Sequence, residues 1–545
     1  MRNLFYWLLV LTSVSCMQSH QSRTDISLIP DKQNQSPDYW CTWGAQNYAI
    51  DTQSVLYSLS LGGHSLTAGN LNEENLFGED GWSSAFPDEL KKDLFIVLDL
   101  GWDVPSETKI GTENWRLGSL MVVQEKFPSC KGTRLERMVS LNELVTQHHW
   151  KGTGLWLPSH PFEDFKDGIP MEDSKVERYY IDAIKLSEAA GIKYWKIDYG
   201  YRGGIEPRKR ITELAREYYP ELIIEHSRGS GPLNDEECPW DTENFHRSGS
   251  FRSWDEGAVL EAFVATARIS SVLRTYDITQ QLSIPTTLDR VAQVLAELSG
   301  TGKKVIINCE DEPYLGAVLG CAVGILRHPH MIELENHEYD PFDFKYRVDE
   351  VVRTVRWHRL APAFGAGMSE NTLDSVRLND SWTFREGDGW AVWMNGKTAV
   401  QGAPARVSRG MPLPEVTCDG DPPYVLCSRH PNGAVAVAAL PRVLETGKIS
   451  YPLADVSIEI TDTGKPVGIF GRYKSLTLVF NEGEQLTSLK LYAQDLAGDK
   501  AEDITHLVDI NKNRIFIPGD MITTIGLKSA TEGDLSEPGM IIQMQ

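Results

Sequence analysis

The sequence predicts a (β/α)8 barrel followed by an antiparallel β-sandwich. Three observations predict it. From about residue 39 to 363, short apolar runs alternate with amphipathic stretches, the pattern of repeated βα units. Eight such runs in about 325 residues match the size of a decorated barrel. From about 365 onward the segments become short, alternating and separated by Gly, Pro, Asn or Asp, which reads as a sandwich. A doubly wound open sheet is the alternative, but no G-x-G-x-x-G follows the first strand.

The first 16 residues read as an export signal. Arg2 gives a positive start, Leu4 to Leu11 form an apolar run too short to span a bilayer, and Ser13-Val14-Ser15 leads to Cys16. The segment resembles a bacterial lipoprotein signal, which implies lipidation at Cys16 and a periplasmic, outer-membrane or cell-surface location. Secretion with a different cleavage site is the alternative. Residues 17–38 then form a polar tether. The barrel, 39–364, has strands expected at Tyr39–Trp43, Leu94–Asp99, Gly154–Leu157, Tyr194–Asp198, Leu222–Glu225, Ser271–Asp277, Val305–Cys309 and Ile325–His328. Helices are expected at Glu177–Ala190, Ala258–Ile269 and Thr287–Leu298, with Tyr346–Leu360 as the closing helix. The C-terminal region, 365–545, includes the strand candidates Trp390–Trp393, Ala434–Ala439, Val456–Ile460 and Leu476–Phe480. It is large for one sandwich, and a separate lobe over the last 60 residues is the alternative.

The 41% hydrophobic and 24% charged fractions are those of a globular protein. A formal charge of −23 and the absence of any basic run argue against a nucleic-acid or anionic-membrane partner, leaving a lipid anchor as the membrane attachment. Seven cysteines follow Cys16 without a C-x-x-C pair, so no metal site is indicated. Cys418 and Cys427 are near enough in sequence for a disulfide, which spacing alone does not establish. Fifteen Trp and nineteen Tyr supply either a large core or sugar-stacking faces.

Working residues of such a barrel sit where strands end and loops begin. Strand ends here hold Asp99, Asp103, Lys196, Asp198, Glu225, Asp277 and the pair Glu310/Asp311. So many converging carboxylates need cations among them, and Lys196 and Arg274 supply these. Cleaving a glycosidic bond takes two carboxyl groups flanking the anomeric carbon, so the inventory fits that chemistry. Cys309-Glu310-Asp311-Glu312 reads as a solvated loop rim, since consecutive acids on a strand point different ways.

The segment Tyr194–Tyr201, YWKIDYGY, resembles the fourth-strand motif of the retaining α-galactosidases and α-N-acetylgalactosaminidases of glycoside hydrolase families 27 and 36. The resemblance implies that Asp198 is the nucleophile and that Lys196 binds sugar hydroxyls. Leu94–Trp102 resembles the second-strand Asp-Asp-Gly-Trp signature, Ser271–Ile278 the sixth-strand segment that carries the general acid/base, and Val351–Leu373 the exit from the barrel. The likeness spans about residues 39–375. It implies Asp277 as acid/base, substrate binding by Asp99, Trp102, Asp103, Glu225, Arg274 and Trp43, and no cofactor.

The departures bear on specificity. Leu100 stands where the signature has its second Asp, one of the pair that grips the galactose 4- and 6-hydroxyls; Asp103 is a candidate replacement. Asp198 and Asp277 are 79 residues apart, longer than usual, and Arg274 precedes Asp277 by three residues rather than four. Asp255, in Arg252-Ser-Trp-Asp255, is therefore a competing acid/base. Asp277 is preferred, because Asp255 would make Val305–Cys309 the eighth strand and leave Tyr346–Leu360 unexplained. The expectation is an exo-acting retaining hydrolase of α-linked glycosides, acting on an oligosaccharide or polysaccharide. A different sugar, for instance a β-L-arabinopyranoside, and a non-catalytic surface glycan-binding lipoprotein are the rival readings.

Overall fold

The computed structural model describes residues 27–48, 64–104, 118–164, 169–198, 204–227, 258–274, 283–302, 305–326, 347–366, 375–379, 403–443, 449–481 and 486–545. Eight parallel strands close a barrel in sequence order: β1 (Tyr39–Cys41), β2 (Phe95–Leu98), β3 (Gly152–Leu157), β4 (Tyr194–Ile197), β5 (Ile223–Ser227), β6 (Val272–Arg274), β7 (Ile306–Glu310) and β8 (Ala322–Ile325). Each falls on an expected apolar run, except that β8 is centred earlier, before His328. The helices that follow β2 to β6 are α1 (Arg134–Gln147), α2 (Asp173–Ala190), α3 (Ile205–Tyr218), α4 (Ala258–Ile269) and α5 (Ser283–Leu298), and α6 (Pro313–Leu319) joins β7 to β8. The closing helix is α7 (Val348–His358).

Local sequence fixes the joints. Thr133 and Glu136 make reciprocal side-chain-to-backbone bonds that start α1, and Gly191, at φ 73°, ends α2 in the left-handed conformation. Inside the barrel the period-two alternation turns Tyr39, Tyr194, Glu225 and Asn308 inward, where they form a buried polar layer. Gly324 makes room for it: a Cβ there would lie 2.5 Å from the Asn308 amide and 2.8 Å from the Tyr39 ring. Trp40 points the other way and stacks on Trp150, 5.5 Å between centroids.

The C-terminal region is a sandwich of an eight-stranded and a five-stranded sheet around Val437, Ile469, Leu478, Ile517 and Ile542. Its sheets are mixed rather than purely antiparallel, because Arg406–Arg409 pairs parallel to Tyr424–Arg429 and Asp455–Ile460 parallel to Ser475–Phe480. The last 60 residues complete both sheets, through Leu491–Asp495 and Gly539–Met544 in one and Arg514–Pro518 in the other. Trp390–Trp393 lies outside the described residues. Cys418 and Cys427 are both free thiols.

The barrel docks on the sandwich through an apolar layer joining Leu315 and Val318 of α6 to Leu426, Ala436 and Phe470. Helix α7 adds ion pairs: Arg353 to Asp495 at 3.0 Å and Arg356 to Asp499 at 2.5 Å. No helix among the described residues is long and apolar enough to cross a membrane.

Candidate active site

Asp198 follows β4 at the C-terminal end of the barrel. Its amide donates to the Leu157 carbonyl at 3.0 Å, and the buried Arg208 of α3 donates to the carbonyls of Ile197 and Asp198 at 2.9 and 2.6 Å. The chain is therefore fixed on both sides of the carboxylate. Of the strand-end acids Asp99, Asp103, Asp198, Glu225, Glu310 and Asp311, all but Asp198 are buried; its side chain keeps 25% exposure.

One Asp198 oxygen accepts from Trp156 Nε1 at 3.2 Å and lies 3.4 Å from Lys196 Nζ. Lys196 is itself held by Asp99 at 2.6 Å, and Asp99 also accepts from Cys41 Sγ at 3.1 Å. Burial and the Arg274 charge would lower the Lys196 ammonium; Asp99, Cys41 and Asp198 outweigh them and hold it well above the usual lysine range. Burial would likewise raise Asp99, and the Lys196 charge and hydrogen bond reverse it to a lowered value. Asp99 and Lys196 are thus an ionised pair in a dry site, where desolvation makes a well-formed partner essential.

The other expected residues separate into two groups. Trp102 belongs to the site's frame: it is fully buried and donates its indole N–H to the Trp156 carbonyl at 3.1 Å. Trp43 packs half-buried between Leu100 and Cys41 clusters at the mouth of β1. Glu225 pairs in register with Lys196 across β4 and β5 and has its oxygens taken by Tyr39 at 3.2 Å, Tyr194 at 2.6 Å and Asn308 at 3.2 Å. Burial raises its carboxyl, against the lowering field of Arg274. Asp103 turns to the loop, accepting from the Leu120 amide at 2.9 Å, and burial lifts it to about 6. Arg274 forms a two-pronged pair with Glu310, at 2.6 and 2.8 Å, and donates to Ser227 at 3.2 Å.

That pair corrects the solvated-rim reading of Glu310-Asp311-Glu312. All three are buried. Glu310 meets Arg274, Asp311 Oδ1 caps the Leu326 amide at 3.0 Å, and Glu312 lies 3.4 Å from Arg347. Distant arginines neutralise what the local sequence presents as a run of acids. His226 is structural, wedged between Arg208 and Thr212.

Sequence reasoning passed over Trp156 and Cys41, both of which touch the central carboxylates. Strand parity was the available signal, because Gly152, Gly154 and Trp156 share the inward face of β3. β6 ends at Arg274, three residues before Asp277. Asp277, its competitor Asp255 and the lipidation candidate Cys16 lie outside the described residues. Among the described residues no group of His, Cys, Asp or Glu has the arrangement of a metal site.

No protein-family model and no curated protein matches the sequence. Solved structures to which the chain is similar include a GH27 β-L-arabinopyranosidase from Geobacillus stearothermophilus, at 10% identity and TM-score 0.37, covering 85% of this chain and 93% of that one. They also include an α-amylase from Geobacillus thermoleovorans, complexed with acarbose, at 8% identity and TM-score 0.40, covering 94% and 99%. An Anoxybacillus α-amylase is similar at 10% identity and TM-score 0.40, covering 94% and 98%.

Proposed function

We propose that this protein is a glycoside hydrolase that acts by double displacement with Asp198 as nucleophile. The observation that carries the reading is a partly accessible carboxylate at the end of β4, aimed by Trp156 and kept beside a buried, charged Lys196. Asp198 attacks the anomeric carbon as a carboxylic acid protonates the departing oxygen. The same acid's conjugate base then takes a proton from water, which releases the sugar and restores Asp198. Asp277, or in its place Asp255, is the proposed acid/base. Lys196 and Asp99 are proposed to bind ring hydroxyls, with Trp43 and Trp102 shaping the sugar's platform and Arg274 supporting the far wall.

A sugar other than galactose is favoured by one feature. Leu100, where a second gripping carboxylate would stand, is buried among Ala68, Val104, Trp156 and Phe162, and Asp103 is committed to Ser119 and Leu120. A pyranoside without a 6-hydroxyl, such as a β-L-arabinopyranoside, asks less of that position. The substrate class is an oligosaccharide or polysaccharide at a cell surface, reached through lipidation of Cys16. A panel of nitrophenyl glycosides given to the wild type and to Asp198→Asn tests the reading. Turnover by the wild type with loss in the variant is expected, and binding without turnover by the wild type would leave a glycan-binding protein instead.

A further inference from the structure

We propose that Cys41 is a positioning residue of the reaction: its sulfur closes a triangle with Asp99 and Lys196 that sets where the Lys196 ammonium stands beside Asp198. The proposal rests on the reading of Asp198 as a glycosidase nucleophile. It adds a buried residue that touches neither the sugar nor the reacting atoms.

The strand register places the sulfur. Cys41 is the last residue of β1 and pairs with Val97 of β2. Residues two apart on a strand share a face, so the next side chain on the face of Val97 is that of Asp99. The end of β1 grips Asp99 twice. Its carboxylate accepts from Cys41 Sγ at 3.1 Å, and its amide donates to Thr42 Oγ1 at 2.9 Å. Tyr39, Phe95, Val97, Tyr194 and Leu326 pack in one buried cluster with Cys41. Burial pushes the thiol well above its ordinary range, against the lowering charge of Lys196, so the sulfur keeps the proton that it donates.

Donors and acceptors match one to one. An ammonium has three N–H groups and accepts nothing. Lys196 Nζ has three acceptors around it: Asp99 Oδ2 at 2.6 Å, Asp198 Oδ2 at 3.4 Å and Cys41 Sγ at 3.9 Å. Asp99 in turn takes the Leu100 amide on Oδ1 at 2.8 Å, and both Lys196 and the Cys41 thiol on Oδ2. The sulfur is thus acceptor to the ammonium and donor to the carboxylate that holds it. Without the sulfur, the ammonium keeps two carboxylates of unequal distance, and the nearer, Asp99, draws it from Asp198. Cys41, Asp99 and Lys196 are all buried, where a lost partner is felt most.

Three substitutions separate hydrogen bonding from packing, assayed on the nitrophenyl glycoside that the wild type hydrolyses best. Cys41→Ala removes the donor, the acceptor and the bulk, and should lower kcat/KM about five- to thirtyfold, the effect of a weak hydrogen bond to a charged group. Cys41→Ser keeps donor and acceptor and should stay within about threefold of the wild type. Cys41→Val fills the space without either and should be as impaired as Cys41→Ala. A sulfur that only packs predicts the reverse order, with Val near the wild type and Ser impaired. Val as active as Ser or more so, or Ala within about twofold of the wild type, would therefore overturn the proposal. Melting temperatures record that each variant is folded, and if Ala is not, the order of Ser and Val decides. A wild type without turnover on any glycoside would contradict the glycosidase reading and this proposal with it, whereas turnover with the packing order contradicts this proposal alone.

Discussion

Lys196 places its ammonium 2.6 Å from the Asp99 carboxylate, and both side chains are buried. The pair links β2 to β4 across the barrel's interior and leaves the ammonium within 3.4 Å of Asp198. A charge pair in this setting serves geometry more than stability, since desolvation offsets most of its attraction. Breaking one partner is a different matter.

Lys196→Met strands a buried carboxylate at Asp99. The variant is expected to lose about 3–5 kcal/mol of stability by denaturant unfolding. The double variant Lys196→Met/Asp99→Leu should recover much of that loss while staying inactive. Recovery of activity together with stability would show that the pair only supports the fold.

Trp156→Phe keeps an aromatic ring, smaller than the indole, and removes the hydrogen bond to Asp198. Hydrogen bonds to charged groups contribute about 1.5–3 kcal/mol. On the proposed mechanism kcat/KM should therefore fall about 10- to 100-fold, while the smaller phenyl ring leaves part of the indole's space in the cluster with Phe162 empty and costs about 0.5–3 kcal/mol of stability. Steady-state kinetics beside a thermal melt checks both halves.

Gly324 faces the buried layer of Tyr39 and Asn308, where an added Cβ would meet the amide at 2.5 Å. Gly324→Ala is expected to destabilise the barrel by about 1–3 kcal/mol, because the Tyr39–Glu225–Asn308 network must shift to admit a methyl group. Denaturant unfolding measures it. An unchanged midpoint would mean that the layer is looser than its hydrogen bonds imply.

His430 is buried where the sandwich meets the barrel, 4.9 Å from Phe364 between ring centroids. Burial, with the charges of His358 and Arg409, depresses it to about 3. In the unfolded chain it takes up a proton near its ordinary value of about 6.5, whereas the folded chain resists until near 3. Its contribution to stability is therefore full above about 6.5 and declines as pH falls toward 3, by about 1.4 kcal/mol per pH unit. His430→Phe should flatten the loss of melting temperature between pH 7 and pH 5. Asp103, raised to about 6, acts in the opposite sense, since its contribution is lost as pH rises through that value.

The barrel was legible in the sequence because each strand is a short apolar run flanked by polar turns. LFIVLDL and YWKID locate β2 and β4 to within a residue or two. The place of Asp198 at a strand end was legible for the same reason, as the polar residue closing such a run. The rest depends on partners far apart in the chain. Glu310 and Glu312 look solvated until Arg274 and Arg347 are brought to them. Parallel pairing within the sandwich leaves no trace in strand alternation, since parallel and antiparallel neighbours alternate alike. Trp156 carries no local mark as a carboxylate's partner; only closure of the barrel brings β3 beside β4.

On the proposed mechanism the Asp198 carboxylate forms a covalent bond to the anomeric carbon. Kinetics of Asp198→Gly on the nitrophenyl glycoside that the wild type hydrolyses best, with and without azide, address it. Near-total loss of turnover, recovery with azide, and a glycosyl azide whose anomeric configuration is inverted relative to the substrate are expected, because azide enters the face that the carboxylate vacated. A glycosyl azide that keeps the substrate's configuration, or no recovery in a variant shown to be folded, would overturn the assignment.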